Sequence, residues 1–109
     1  MAGKFEVYKD KAGEHRFRLK AGNGEIILTS EGYSDKGGCA NGIESVKKNA
    51  TNADRFEKKT TDSGKHRFNL KAGNHQVIGT SQSYESESGC DNGIASVGRN
   101  APDADVVEV

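Results

Sequence analysis

The 109-residue chain has no tryptophan, one proline, one methionine and two cysteines. Its 16 basic and 16 acidic side chains cancel to a formal charge of zero. Each shortage excludes something. Two cysteines make no disulfide framework, and they occur in no Cys-x-x-Cys pair with a second ligand at zinc spacing. A neutral balance gives no global pull toward nucleic acid or anionic lipid. No apolar run nears the roughly 20 residues of a helical membrane span, so no membrane partner is expected. Met1 leads into charged residues, which predicts no secretory leader and a reduced, cytoplasmic location.

What the chain does have is itself, twice. HRFRLKAGNGEIILTSEGYSDKGGCANGIESVKKNA, from His15 to Ala50, returns as HRFNLKAGNHQVIGTSQSYESESGCDNGIASVGRNA, from His66 to Ala101. The offset is 51 throughout, and pairing residues 4–58 with 55–109 gives 27 identities in 55 pairs, far above chance. A unit of this size is marginal alone, so the two copies are expected to complete each other. That predicts one compact domain over 1–109, with repeat one at 4–54 and repeat two at 55–109. Hydrophobic residues are 32% of the chain and glycines number 14, which suits a thin core under a large solvated surface.

Within a unit the periodicity changes once. Phe5 to Asp10 and His15 to Lys20 alternate apolar and polar, as strands do. In the second of these His15, Phe17 and Leu19 share one face, and Arg16, Arg18 and Lys20 the other. Gly22-Asn23-Gly24 predicts a hairpin, and Glu25 to Thr29 the returning strand. Cys39, Ile43, Val46 and Ala50 then fall at helical spacing. Ser34 or Asp35 is the expected N-cap, and Asn49 is placed where a left-handed C-cap would stand. Cys90, Ile94, Val97 and Ala101 repeat the stripe, which Pro102 ends. Gly42 and Gly93 inside the helices cost about 1 kcal/mol each against Ala, so close approach of helix to sheet is expected there. Arg55 to Thr60 follows the first helix and also aligns with Phe5 to Asp10. It is expected to serve both units, and Val106 to Val109 to be a strand as well.

The motif HRFRLKAGNGEIILTSEGY, followed by a Gly-Cys-x-Asn-Gly-Ile-x-Ser-Val helix ending Lys-Asn-Ala, resembles the YegP-like family of small bacterial proteins. The resemblance covers nearly the whole chain, twice. It implies an α+β fold, two tandem β-β-β-α-β units in a single antiparallel sheet, with the last strands exchanged between units and both helices on one face. The second copy departs at Leu28/Gly79 and in the loop YSDKGG against YESESG. The resemblance implies no activity and supplies no catalytic residue.

Residues that could carry chemistry are mostly written twice, and so read first as framework. Cys39 and Cys90 each begin an apolar stripe, as small hydrophobes under a helix; the competing reading is a thiolate activated at a helix N-terminus. His15 and His66 share strand faces with Phe and Leu, and His75 lies in a turn. Ser30 and Ser81 end matched strands, where local hydrogen bonding is expected. There is no Gly-x-Ser-x-Gly elbow and no phosphate loop.

Two matched surfaces remain. Arg16, Arg18, Lys20, Arg67, Lys71 and Tyr8 are expected on the open face of the sheet, where basic rows with an aromatic would suit an anionic ligand or single-stranded nucleic acid. Cross-strand pairing with Glu6, Glu25 and Glu57 would neutralise that row instead. Asn41, Ser45 and Asn49, copied as Asn92, Ser96 and Asn100, form a polar helix stripe that reads as structural. The expectation is a small non-enzymatic binding or association protein, without cofactor or metal and monomeric, since an internal duplication replaces a homodimer. An anion or nucleic-acid binder is the alternative, and a Cys-dependent enzyme the third class.

Overall fold

The computed structural model describes residues 3–109; the reading of Met1 lies outside them. In chain order the elements are β1 (Lys4–Lys9), β2 (His15–Lys20), β3 (Ile26–Thr29), α1 (Lys36–Asn49), β4 (Phe56–Thr60), β5 (His66–Lys71), β6 (Val77–Thr80), α2 (Glu87–Asn100) and β7 (Asp105–Glu108). The fold is α+β, with one seven-stranded sheet in the order β4-β5-β6-β3-β2-β1-β7. The units meet in antiparallel fashion at Thr29 and Thr80, so an approximate two-fold axis passes between β3 and β6.

Side-chain alternation puts the apolar residues on one face. Phe5 pairs with Leu19 and Leu19 with Leu28. Both helices lie on that face. A Cβ on Gly42 would come within 3.0 Å of the Phe17 ring, and one on Gly93 within 3.1 Å of the Phe68 ring. The same would-be Cβ atoms would overlap the hydroxyls of Tyr33 and Tyr84. The helical glycines therefore answer a close approach, and the tyrosine as well as the sheet demands it. Each tyrosine ring stacks on a core phenylalanine, with centroids 6.3 Å apart for Phe17–Tyr33 and 6.4 Å for Phe68–Tyr84.

The helices begin as expected, Asp35 and its counterpart Ser86 accepting from the backbone N–H of Gly38 and Gly89 at 2.7 and 3.0 Å. They end otherwise. Asn49 is the last helical residue, and Ala50 after it is right-handed helical. The Asn49 amide donates to the Ser45 carbonyl at 2.8 Å, and Asn100 does the same to Ser96. A buried side-chain bond has taken the place of a left-handed cap.

At the axis the two copies diverge for a steric reason. A Cβ on Gly79 would lie 2.7 Å from the side chain of Leu28, its own repeat counterpart. One leucine fills the space that two would contest.

Two expectations about the edges need correction. The sheet is antiparallel at every pairing except one: β7 runs parallel to β1, Lys4 opposite Asp105 through Val7 opposite Glu108. After α2 the chain has only Ala101 to Ala104 before β7, enough to reach the neighbouring edge but not to reverse along it. The exchange also goes one way. The last strand of unit two pairs with unit one, whereas β4 pairs with β5 alone. Residues 55–60 are thus not shared in pairing, because the segment that would be unit one's last strand runs on directly into unit two's first. Among the described residues, no helix is long and apolar enough to cross a membrane.

Candidate functional site

The face of the sheet away from the helices carries the basic row, and in unit one each cation of that row has a carboxylate partner. Glu6 is nearly enclosed, 5% exposed. It accepts from Arg18 Nε at 2.8 Å and pairs with Lys20 at 3.3 Å and Lys4 at 3.8 Å. Arg18 holds its carboxyl below the usual range, helped by Lys20 and opposed by burial. Arg16 donates through Nε to Asp10 at 2.6 Å and through Nη1 to the Ser30 carbonyl at 3.2 Å; Asp10 is likewise held low by Arg16. Tyr8 is covered by the Arg18 guanidinium, 4.8 Å from its ring centre. The ring expected to stack on a ligand stacks on a neighbour.

Unit two has Asn69 for Arg18, Lys59 for Tyr8 and Thr61 for Asp10. Lys71 pairs with Glu57 at 3.1 Å, and Lys59 with the same carboxylate at 3.6 Å, which lowers the pKa of Glu57, chiefly through Lys71. Thr61 stands where unit one has Asp10, and Arg67, the counterpart of Arg16, is exposed with no acidic partner among the described residues. Directly opposite it across β4 and β5 stands Lys59, where unit one has Tyr8. Arg55, just before β4, has a buried Nε with no hydrogen-bond partner among the described residues, and its guanidinium lies against Gly73. Asn69, the counterpart of Arg18, accepts from Thr80 Oγ1 at 3.0 Å. Of these cations, Lys71 and Lys59 reach Glu57, whereas Arg67 and Arg55 do not pair with it. Sequence reasoning missed Arg55 and Lys59, although Arg-Phe-Glu-Lys-Lys-Thr alternates and sets Arg55, Glu57 and Lys59 at one strand parity.

The polar helix stripe divides. Asn49 and Asn100 are buried and bonded to Ser45 and Ser96. Asn41 and Asn92 are exposed. Asn92 and Ser96 border a cavity of about 260 Å³ with Glu25 and Tyr84, between the first unit's hairpin and α2. The Tyr84 hydroxyl is buried without a hydrogen-bond partner among the described residues.

The remaining candidates belong to the framework. Cys39 and Cys90 are free and fully buried, and burial pushes both thiols up, away from a reactive thiolate. Ser30 and Ser81 mend the ladder at the strand ends. Their hydroxyls accept from the Phe17 and Phe68 N–H at 2.9 Å and donate to the next carbonyl at 2.7 Å. His15 and His66 bridge through their backbones to Tyr33 and Tyr84. His75 takes the turn position of Gly24, at φ 71°.

Residues 10–57 and 62–108 each match the family described as "Domain of unknown function (DUF1508)". The UPF0339 protein in the ptx operon 5' region of Stutzerimonas stutzeri is 66% identical over 109 residues, 100% of this chain and 98% of that one. The UPF0339 protein YegP of Escherichia coli K12 is 53% identical over 100 residues, covering 92% and 91%. Two solution NMR structures share the fold. That of E. coli yegP, described as a protein of unknown function, has a TM-score of 0.94 at 50% identity over 99% of this chain and 93% of that one. That of UPF0339 protein SO3888 of Shewanella oneidensis has a TM-score of 0.93 at 48% identity, covering 99% and 92%. With both units matched and a shared fold along nearly its full length, this chain belongs to the UPF0339 (YegP) family, in its two-repeat form.

Proposed function

We propose that the protein works by binding rather than by turnover, as a monomer, and that unit two's half of the open face takes an anionic group. One observation carries the reading. Lys59 and Arg67 stand opposite each other on β4 and β5, and Arg67 has no acid, where its counterpart Arg16 is held by Asp10. Like charges directly opposite destabilise a sheet by a few tenths of a kcal/mol or more, and a bound phosphate or carboxylate would relieve that. Unit one's row, spent on Glu6 and Asp10, contributes little. The non-enzymatic part of the reading rests on where reactive side chains are used: both thiols and the Ser30 and Ser81 hydroxyls are buried in the framework. Two free buried thiols also fit a reducing compartment such as the cytoplasm.

The test is a titration at low salt of the isotope-labelled protein with inorganic phosphate and with a deoxythymidine oligonucleotide. Amides of β4 and β5 are expected to shift saturably. Arg67→Ala should weaken binding about tenfold, and Arg16→Ala should leave it within about twofold. Equal losses in the two variants would assign the whole face instead, and no shift with either probe would remove the reading. Turnover of any substrate, abolished by one point change, would overturn the non-enzymatic part.

A further inference from the structure

The two ends of the sheet are related by the same two-fold axis as the units, yet only one is covered. On β1 lies β7, parallel, with Val106 and Glu108 turned to the helix side. Val106 borders a cavity of about 220 Å³ with Val7, Cys39 and Ile43. Glu108 accepts from Lys36 Nζ, on α1, at 3.1 Å. Under this strand Phe5 is wholly buried and Ile43 is 3% exposed.

Beyond β4 there is no strand among the described residues. The counterparts show its lack: Phe56 and Ile94 are only partly buried. Lys58 occupies the place of Val7 and reaches α2, with Nζ 2.9 Å from Asp91 and 3.5 Å from Glu87. A lysine on an edge strand discourages pairing. These pairs, however, are exposed on both sides, and exposed pairs hold weakly. The charges on the helix are also reversed. Glu87 stands where Lys36 does, and Asp91 where Ala40 does.

We propose that the open edge of β4 accepts an extended segment of another protein as an eighth strand, parallel to β4, with an apolar residue followed two positions later by Lys or Arg. The apolar residue covers Ile94, as Val106 covers its counterpart. The cation takes Glu87 and Asp91 from Lys58. Backbone pairing supplies affinity and these two side chains supply selectivity, as in other cases of strand addition. The chain's own β7 does not suit this edge in a second copy, because Glu108 would face Glu87 and Asp91. The site is on the edge and the helix side, separate from the anion site on the open face, and either can fail without the other.

The experiment titrates the labelled full-length protein with two capped pentapeptides, Asp-Val-Val-Glu-Val from β7 and the same peptide carrying Glu108→Lys. The lysine peptide is expected to shift amides of residues 56–60 and 87–94 saturably. The glutamate peptide should bind at least about tenfold more weakly. Lys58→Ala, a surface change whose spectrum reports folding directly, should tighten the lysine peptide, and Asp91→Asn with Glu87→Gln should erase the preference. The proposal is overturned by absence of a saturable shift even in Lys58→Ala, by shifts confined to β1 and β7, or by self-association through β4 without peptide.

Discussion

In unit one Arg16 is held by Asp10, Arg18 and Lys20 by Glu6, and β1 by a neighbouring strand. In unit two Arg67 faces Lys59, Asn69 stands in for the second arginine, and β4 is an edge. The cores are close copies: Phe5 meets Phe17 edge-on with centroids 5.6 Å apart, and Phe56 meets Phe68 at 5.5 Å. Duplicated folding instructions therefore coexist with unequal surfaces. The framework is kept wherever helix must meet sheet, and the copies differ where a side chain answers only to solvent, an edge or the axis.

The comparison is broken most forcefully at the axis. Gly79→Leu would make the copies alike and set two leucines in one space, and should destabilise by about 3 kcal/mol, read by urea unfolding. Adding Leu28→Gly should restore at least about half of that. If the double variant is no better than the single, the space is not shared as the contact implies. Next, deleting residues 105–109 turns the first edge into a likeness of the second. It should cost about 2 kcal/mol and raise amide exchange in β1; unchanged stability would mean that β7 adds nothing to β1.

Acid acts on both units to a smaller extent. Glu6, Asp10 and Glu57 all have carboxyl pKa values below their ordinary ones. Their contribution is present above the ordinary carboxylate range and is lost as pH falls through it. The melting temperature should therefore drop between about pH 5 and pH 3, and salt should shrink the drop. Glu6→Gln should flatten the profile more than Glu57→Gln, since Glu6 joins three cations at 7% side-chain exposure and Glu57 two at 41%. The smallest effect is in the second hairpin. His75→Gly removes a left-handed non-glycine residue and should add up to about 1 kcal/mol of stability.

Much of this was legible from residue order. The apolar alternation of Phe17 and Leu19, the stripe from Cys39 to Ala50 and the Asn-Gly hairpin each report a local period, and each element formed within a residue or so of its expected bounds. The direction of β7 was not legible, because Val106 and Val107 look alike in a parallel or an antiparallel pair. It is settled by how far the chain can travel after Ala101. The contrast between Arg16 and Arg67 was present in the sequence at Asp10 and Thr61. It became visible only once the turn after β1 was seen to bring Asp10 back beside Arg16. Asn49 was misread because its buried bond to Ser45 depends on packing that helix-end statistics do not contain.

The Leu28–Gly79 contact reaches beyond packing. In a dimer of two identical chains, a side chain near the symmetry axis must fit against its own image, and any replacement there happens on both sides at once. A leucine that clashes with itself would have to give way in both subunits and leave a hole. Fusing the copies removes that obligation: one side can fill the middle while the other withdraws. The same licence extends outward, so one half can keep its charges paired while the other leaves Arg67 without an acid among the described residues.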